Sequence, residues 1–222
     1  MRVLDLGCGT GQAPKHFRLP EKCEVHGIDL DQQSLEQARI NYPNAMIALV
    51  AARNSPYDNG FFDQVIANVS LPYMNIPKTL REVHRVLKPS GTVIFALHPP
   101  SFTWSELKKT RRLRPLVYRV FVILNGIYFH VTGRVLDLFG KAESFQTERG
   151  IKIAMQRTGF SEIGFERNGP RCIVRGSAYA ANIETSVLCY NVPCPSINEP
   201  IPFVIMPKKC RKRTPRSHRR SD

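Results

Sequence analysis

Asp5, Gly7, Gly9 and Gly11 stand within residues 3–12, which read VLDLGCGTGQ. An apolar run ends in an acid, and a glycine-rich turn then opens a helical pattern. Glycine has no side chain to block the approach of backbone N–H groups, so the stretch suits a small molecule held against the main chain. The G-x-G-x-G spacing differs from the G-x-G-x-x-G of dinucleotide folds, and no Lys-Ser or Lys-Thr follows to make a P-loop. Asp5 at the strand end would repel a pyrophosphate and instead suits a ligand that carries positive charge. A second acid, Asp29 in HGIDLD, ends the next apolar run 18 residues beyond Gly11, near the spacing at which a second-strand carboxylate meets a ribose.

The elements that must hold these residues alternate. Apolar, β-rich runs at 2–6, 24–30, 45–51, 61–69 and 92–98 are separated by helical patterns at 12–19, 31–42 and 76–91. In the third helix Leu80, Val83, Val86 and Leu87 recur at helical spacing, with Pro89 and Gly91 as the expected stop. A further helix over 148–160 and a terminal hairpin from 161–169 and 172–180 complete the set. The reading is α/β: a Rossmann-like, doubly wound, mostly parallel seven-stranded sheet with helices on both faces and a helical insertion after strand five.

Charge sorts the chain into a fold and two appendages. Of the net charge of +14, the insertion at 102–145 carries eight Lys/Arg against three acids, a net +5. Residues 207–222 carry eight against one, a net +7. The rest is nearly neutral, so the basicity is local rather than a property of the fold. Within the insertion Leu113, Leu116, Val120, Leu124, Ile127, Val131, Val135 and Leu138 recur at helical spacing. The domain reading is residues 1–182, with 102–145 as a substrate lid, followed by a Pro-rich, basic, disordered tail at 183–222. The longest uncharged apolar run, residues 120–133, holds Asn125, Gly126 and His130 and is too short and polar to span a bilayer. Six cysteines without a C-x-x-C pair indicate reduced thiols, no metal site and a cytoplasmic protein, and a core strand two residues after Met1 leaves no room for a signal peptide.

The acid followed by G-x-G-x-G, Asp29 ending strand two, SPYDNGFFDQVIAN and EVHRVLKPSGTVIFALH occur in the order of a known family. The chain resembles the class I S-adenosylmethionine-dependent methyltransferases, as in the methyltransferase domain of ubiquinone and menaquinone biosynthesis, over about residues 2–98 and 145–181. The resemblance implies S-adenosylmethionine as cofactor, held by Asp5, Gly7, Cys8, Gly9 and Gly11, by Asp29 on the ribose with Leu30 beside it, and by Asn68 near the methyl end. Where the family commonly carries GDA after strand three, this chain has Val50-Ala51-Ala52. The carboxylate that would accept the adenine amino group is replaced by Ala51, leaving the backbone N–H of Ala52 and a stacking surface on Arg53. Many relatives place a helix or two before strand one, and the expectation here is either a more open methionine end or a preceding segment outside this sequence.

Methyl transfer by in-line displacement needs positioning and exclusion of water more than covalent help. Tyr73 is the candidate to orient an acceptor and His98 the candidate base on its unperturbed pKa, while His84 and His130 sit in helical patterns as packing or surface residues. The apolar, basic insertion points to a lipid or quinone-like acceptor ahead of a small metabolite, with peripheral membrane or anionic-surface contact through 102–145 and 207–222. Nucleic acid is the weaker alternative, because NVSLPY stands where DNA amino-methylating enzymes carry Asn/Asp-Pro-Pro-aromatic. The other reading is a degenerate methyltransferase that binds S-adenosylmethionine or a partner without catalysis.

Overall fold

A computed structural model describes residues 1–97, 100–109, 113–138, 140–168 and 171–178. Strand β1 (Arg2–Leu6) lies at the centre of a sheet in which it pairs in parallel with both β2 (Glu24–Asp29) and β4 (Phe62–Asn68). Burial on both faces explains its nearly continuous apolar sequence: Val3, Leu4 and Leu6 are all buried. With β3 (Met46–Leu49), β5 (Leu87–Leu97), β6 (Phe160–Asn168) and β7 (Arg171–Ala178), the strand order is β3-β2-β1-β4-β5-β7-β6. Only β7 runs against its neighbours, pairing antiparallel with β5 and β6.

Side-chain alternation sends the two faces of β1 to different helices. Leu4 and Leu6 join a core with Leu80 and Val83 of α3 (Ile76–Val86) and Ile151 and Met155 of α6 (Glu148–Arg157). Val3 packs with Ile66 and with Ala13 of α1 (Ala13–His16), while α2 (Gln32–Asn41) places Leu35 and Ala38 against Ile47 and Cys8. The helices start where polar side chains cap them. Asp31, Asn75 and Thr147 accept from the N–H groups of Gln33, Lys78 and Gly150.

Three expectations need correction. Helix α3 stops at Val86, and Leu87, Pro89 and Gly91 belong to β5. Leu87 pairs with Phe62, because extended backbone ahead of a proline is favoured over helix. Helix α1 is a single turn, ended where Arg18 takes φ 51° ahead of Pro20. The insertion forms α4 (Pro100–Lys109) and the 20-residue α5 (Leu113–Thr132), which stops where Gly133 takes φ 65°, so Val135 and Leu138 of the periodic pattern lie beyond it. Its window Pro115–Thr132 is long and apolar enough to cross a membrane by length and composition, contrary to expectation. The tail assigned to 183–222 lies outside the described residues.

Candidate functional site

The cleft opens at the carboxyl ends of β1 and β2, where doubly wound sheets bind ligands. Gly7, Gly9 and Gly11 all take positive φ, 67°, 50° and 82°. At Gly7 the conformation and the space both require glycine: a Cβ would lie 2.5 Å from Ser70 Cβ. At Gly9 a Cβ would meet nothing within 4 Å, so that stretch of main chain is uncovered. The turn is tied to β2 by N–H groups of Gly7 and Cys8 that donate to the Ile28 carbonyl at 2.8 and 3.1 Å.

Asp29 is the hinge of this arrangement. Its Oδ2 accepts from Gly9 N at 2.8 Å, and its Oδ1 from Leu30 N and Asp31 N at 2.7 and 3.0 Å. Three N–H donors thus fix a carboxylate that also lines a cavity of about 330 Å³. The cavity walls come from Gly7 and Asp29 on one side and from residues 50–53 after β3 on another. Ser70, Tyr73, Met74 and Asn75 follow β4, and Asp137, Gly140 and Ala142 follow α5. The volume lies at the lower end of the range of ligand sites.

Beneath the turn, Asp5 is 1% exposed and its Oδ1 has no hydrogen-bond partner. Burial, reinforced by the nearby Asp29 carboxylate, pushes its pKa to about 8. An unsatisfied buried carboxyl behind a cleft is a candidate functional group. Asn68 at the end of β4 likewise carries a buried, unpartnered Oδ1. Val69 beside it takes φ 60°, a strained conformation for a β-branched residue, with its N–H held by the Ala96 carbonyl at 3.0 Å.

Of the residues selected from the sequence, the cavity gathers Gly7, Asp29, Leu30, Ala52, Arg53 and Tyr73. Asp5, Cys8, Gly9, Gly11 and Asn68 do not line it. Cys8 faces α2, where burial and then Asp5 and Asp29 raise its thiol pKa, and Gly11 packs against Tyr42 and Ala38. His98 lies outside the described residues. Of the two histidines read as packing or surface, His84 stacks edge-on against Phe160 and His130 meets Thr147 Oγ1 at 2.9 Å.

Sequence reasoning missed Ser70, Met74, Asn75 and Asp137. Asn75 caps α3 and also donates to Asp137 Oδ2 at 3.2 Å, bridging the β4 loop and the insertion. The N-cap position of Asn75 was readable, whereas its partner 62 residues away was not.

The wall after α5 is held from behind. Asn125, fully buried on the inner face of α5, receives the Leu136 N–H on Oδ1 at 2.7 Å. Its Nδ2 donates to the carbonyls of Leu136 at 3.1 Å and Glu143 at 3.0 Å. These bonds bracket Asp137, Gly140 and Ala142, so one amide shapes a whole side of the cavity.

Residues 4–95 match the family model of the methyltransferase domain. The chain is 35% identical over 125 residues to a malonyl-[acyl-carrier protein] O-methyltransferase of Halorhodospira halophila, covering 50% of this chain and 42% of that protein. It is 40% identical over 106 residues to an uncharacterized methyltransferase of Synechocystis, covering 45% and 49%. The chain thus spans less than half the length of these curated relatives. A crystal structure of a SAM-dependent methyltransferase from Methanosarcina mazei superposes with a TM-score of 0.55 at 16% identity, covering 80% of this chain and 92% of that one. Residues 4–95 are thus similar to the methyltransferase domain, and the glycine turn and strand order sit in the same fold as the Methanosarcina mazei structure.

Proposed function

We propose that the protein transfers a methyl group from S-adenosylmethionine to a lipophilic small-molecule acceptor. The observation that carries the reading is the Asp29 carboxylate, held by three backbone N–H groups in the wall of a cavity that Gly7 of the G-x-G-x-G turn also lines. The residues fit the cofactor. Asp29 presents a fixed acceptor to ribose hydroxyls, the open main chain at Gly9 admits close approach, and the buried Asp5, held neutral in the ligand-free fold, would gain its charge beside a cationic ligand. Val50, Ala51, Ala52 and Arg53 form the wall assigned to the adenine ring.

When bound, S-adenosylmethionine supplies an electrophilic methyl group. The chain's own part is to orient and to exclude water. Tyr73, which lines the cavity and is 63% exposed, is assigned to orient an acceptor, and His98 is assigned as the base for an acceptor with a proton to lose. The apolar stripe on the insertion, which also gives Asp137, Gly140 and Ala142 to one cavity wall, supports a lipophilic acceptor. We assign the protein to a reducing, cytoplasmic setting, in keeping with Cys8, Cys23 and Cys172 as free thiols.

Calorimetric titration with S-adenosylmethionine and its demethylated product tests the cofactor. Binding in the micromolar range is expected, and no binding at millimolar concentration would overturn the proposal. A radiolabel-transfer screen over lipid, small-metabolite and RNA pools tests the acceptor. Label is expected in the lipid pool, and cofactor binding without transfer to any pool would identify a degenerate methyltransferase.

A further inference from the structure

Helix α5 turns its most apolar side to solvent. Leu116, Val117, Val120, Leu124, Ile127 and Val131 are 36–63% exposed, with Leu124 at 59% and Val131 at 58%. At 1.5 Å per residue this stripe runs roughly 22 Å along the helix. An aliphatic face of that length on a solvent-facing helix marks a contact surface. Helix α5 contains no acid, and the segment 102–145 carries a net +5. Of its three acids, Glu143 is half-buried and accepts from Tyr118 Oη at 2.5 Å, and the exposed Asp137 accepts from Asn75 at the cavity. In the sequence, Lys108, Lys109, Arg111, Arg112 and Arg114 cluster within six residues of the first residue of α5, and the exposed Arg134 lies just past its C-terminus.

We infer that α5 docks in the plane of a bilayer containing anionic phospholipid, with its aliphatic stripe among the acyl chains and its flanking cations on the headgroups. Charge selects this occupant. Residues 179–222 carry a net +5, and a second copy would bring its own cationic insertion, so both meet repulsion here. The stripe offers aliphatic carbon without a hydrogen-bonding side chain, which suits acyl chains better than the polar rim of a protein partner.

The inner face decides against a spanning helix. Asn125 is fully buried and bonded to Leu136 and Glu143, and Gly126 is so close to the Phe145 ring that a Cβ would lie 2.3 Å from it. Phe129 is fully buried against Gly150 of α6. Spanning would strip these contacts, whereas lying in the plane keeps them all. The helix that meets the lipid is also the helix whose Asn125 holds the cavity wall.

The inference is independent of methyl transfer, and its test separates the two. The full chain is sedimented with phosphatidylcholine vesicles made with and without phosphatidylglycerol, beside the variants Val120→Glu/Leu124→Glu and Val117→Asp/Val131→Asp. Melting curves and S-adenosylmethionine titrations on the same samples report folding and cofactor binding. The wild type is expected to sediment with anionic vesicles and both variants to lose at least tenfold in partitioning while melting like the wild type. Three results would overturn the inference: no sedimentation of the wild type, undiminished sedimentation of folded variants, which assigns binding to the basic residues 207–222, or a dimer or acidic-protein complex dissolved by the same substitutions without vesicle binding. Vesicle binding without cofactor binding would leave the inference standing and overturn the methyl-transfer reading alone.

Discussion

Asp29 and Gly9 are 20 residues apart in sequence and joined by a 2.8 Å hydrogen bond from the Gly9 N–H to Asp29 Oδ2. The carboxylate assigned to the ribose therefore also latches the glycine turn. Asp29→Ala is expected to weaken S-adenosylmethionine at least tenfold in calorimetry, through loss of both the acceptor and the latch. Asp29→Asn keeps one carbonyl acceptor and should lose less.

Gly7 and Gly9 separate folding from binding. Gly7→Ala places a Cβ 2.5 Å from Ser70 Cβ at φ 67°, and is expected to cost about 2 kcal/mol or more in denaturant unfolding. Gly9→Ala meets no neighbour within 4 Å at φ 50° and should cost only about 1 kcal/mol of stability, while its methyl obstructs the ligand. The first variant should melt early, and the second should fail mainly in titration.

The pKa of Asp5, raised to about 8 from 3.8, gives the ligand-free protein a specific pH profile. The folded state favours the neutral acid. The stability this contributes is full below about pH 4 and is lost as pH rises through about 8, on the order of a few kcal/mol. Asp5→Asn is expected to flatten that descent in melting temperature against pH. A cationic ligand favours the charged form, so S-adenosylmethionine should raise the wild-type melting temperature more above about pH 8 than below about pH 6.

Asn125→Ala removes a buried amide and leaves the N–H and carbonyl of Leu136 and the carbonyl of Glu143 unpaired. A loss of about 2–3 kcal/mol in stability is expected. Cofactor affinity should fall with it, because the wall carrying Asp137, Gly140 and Ala142 loses its anchor.

Ala51→Asp supplies the carboxylate that related proteins place after strand three. Ala51 lines the cavity, so the added acceptor is expected to tighten S-adenosylmethionine roughly tenfold, read by titration.

The sequence by itself determined the sheet, the turn and the identity of Asp29. Strand alternation, caps and glycine spacing are local signals, carried by residues a few positions apart. It misplaced the end of α3, where the helical periodicity of Val83, Val86 and Leu87 outlasts the helix and the pairing of Leu87 with Phe62 decides otherwise. The periodic stripe from Leu116 to Val131 was equally plain, yet periodicity states only that one face is apolar. Tertiary packing turned Val122, Asn125, Gly126 and Phe129 inward and left the stripe outside. The bond between Asn75 and Asp137 and the anchoring of Leu136 by Asn125 join segments whose approach depends on the whole chain path. Only the tertiary structure set that side of the cavity, because hydrogen bonds between distant residues leave no periodic trace in the sequence.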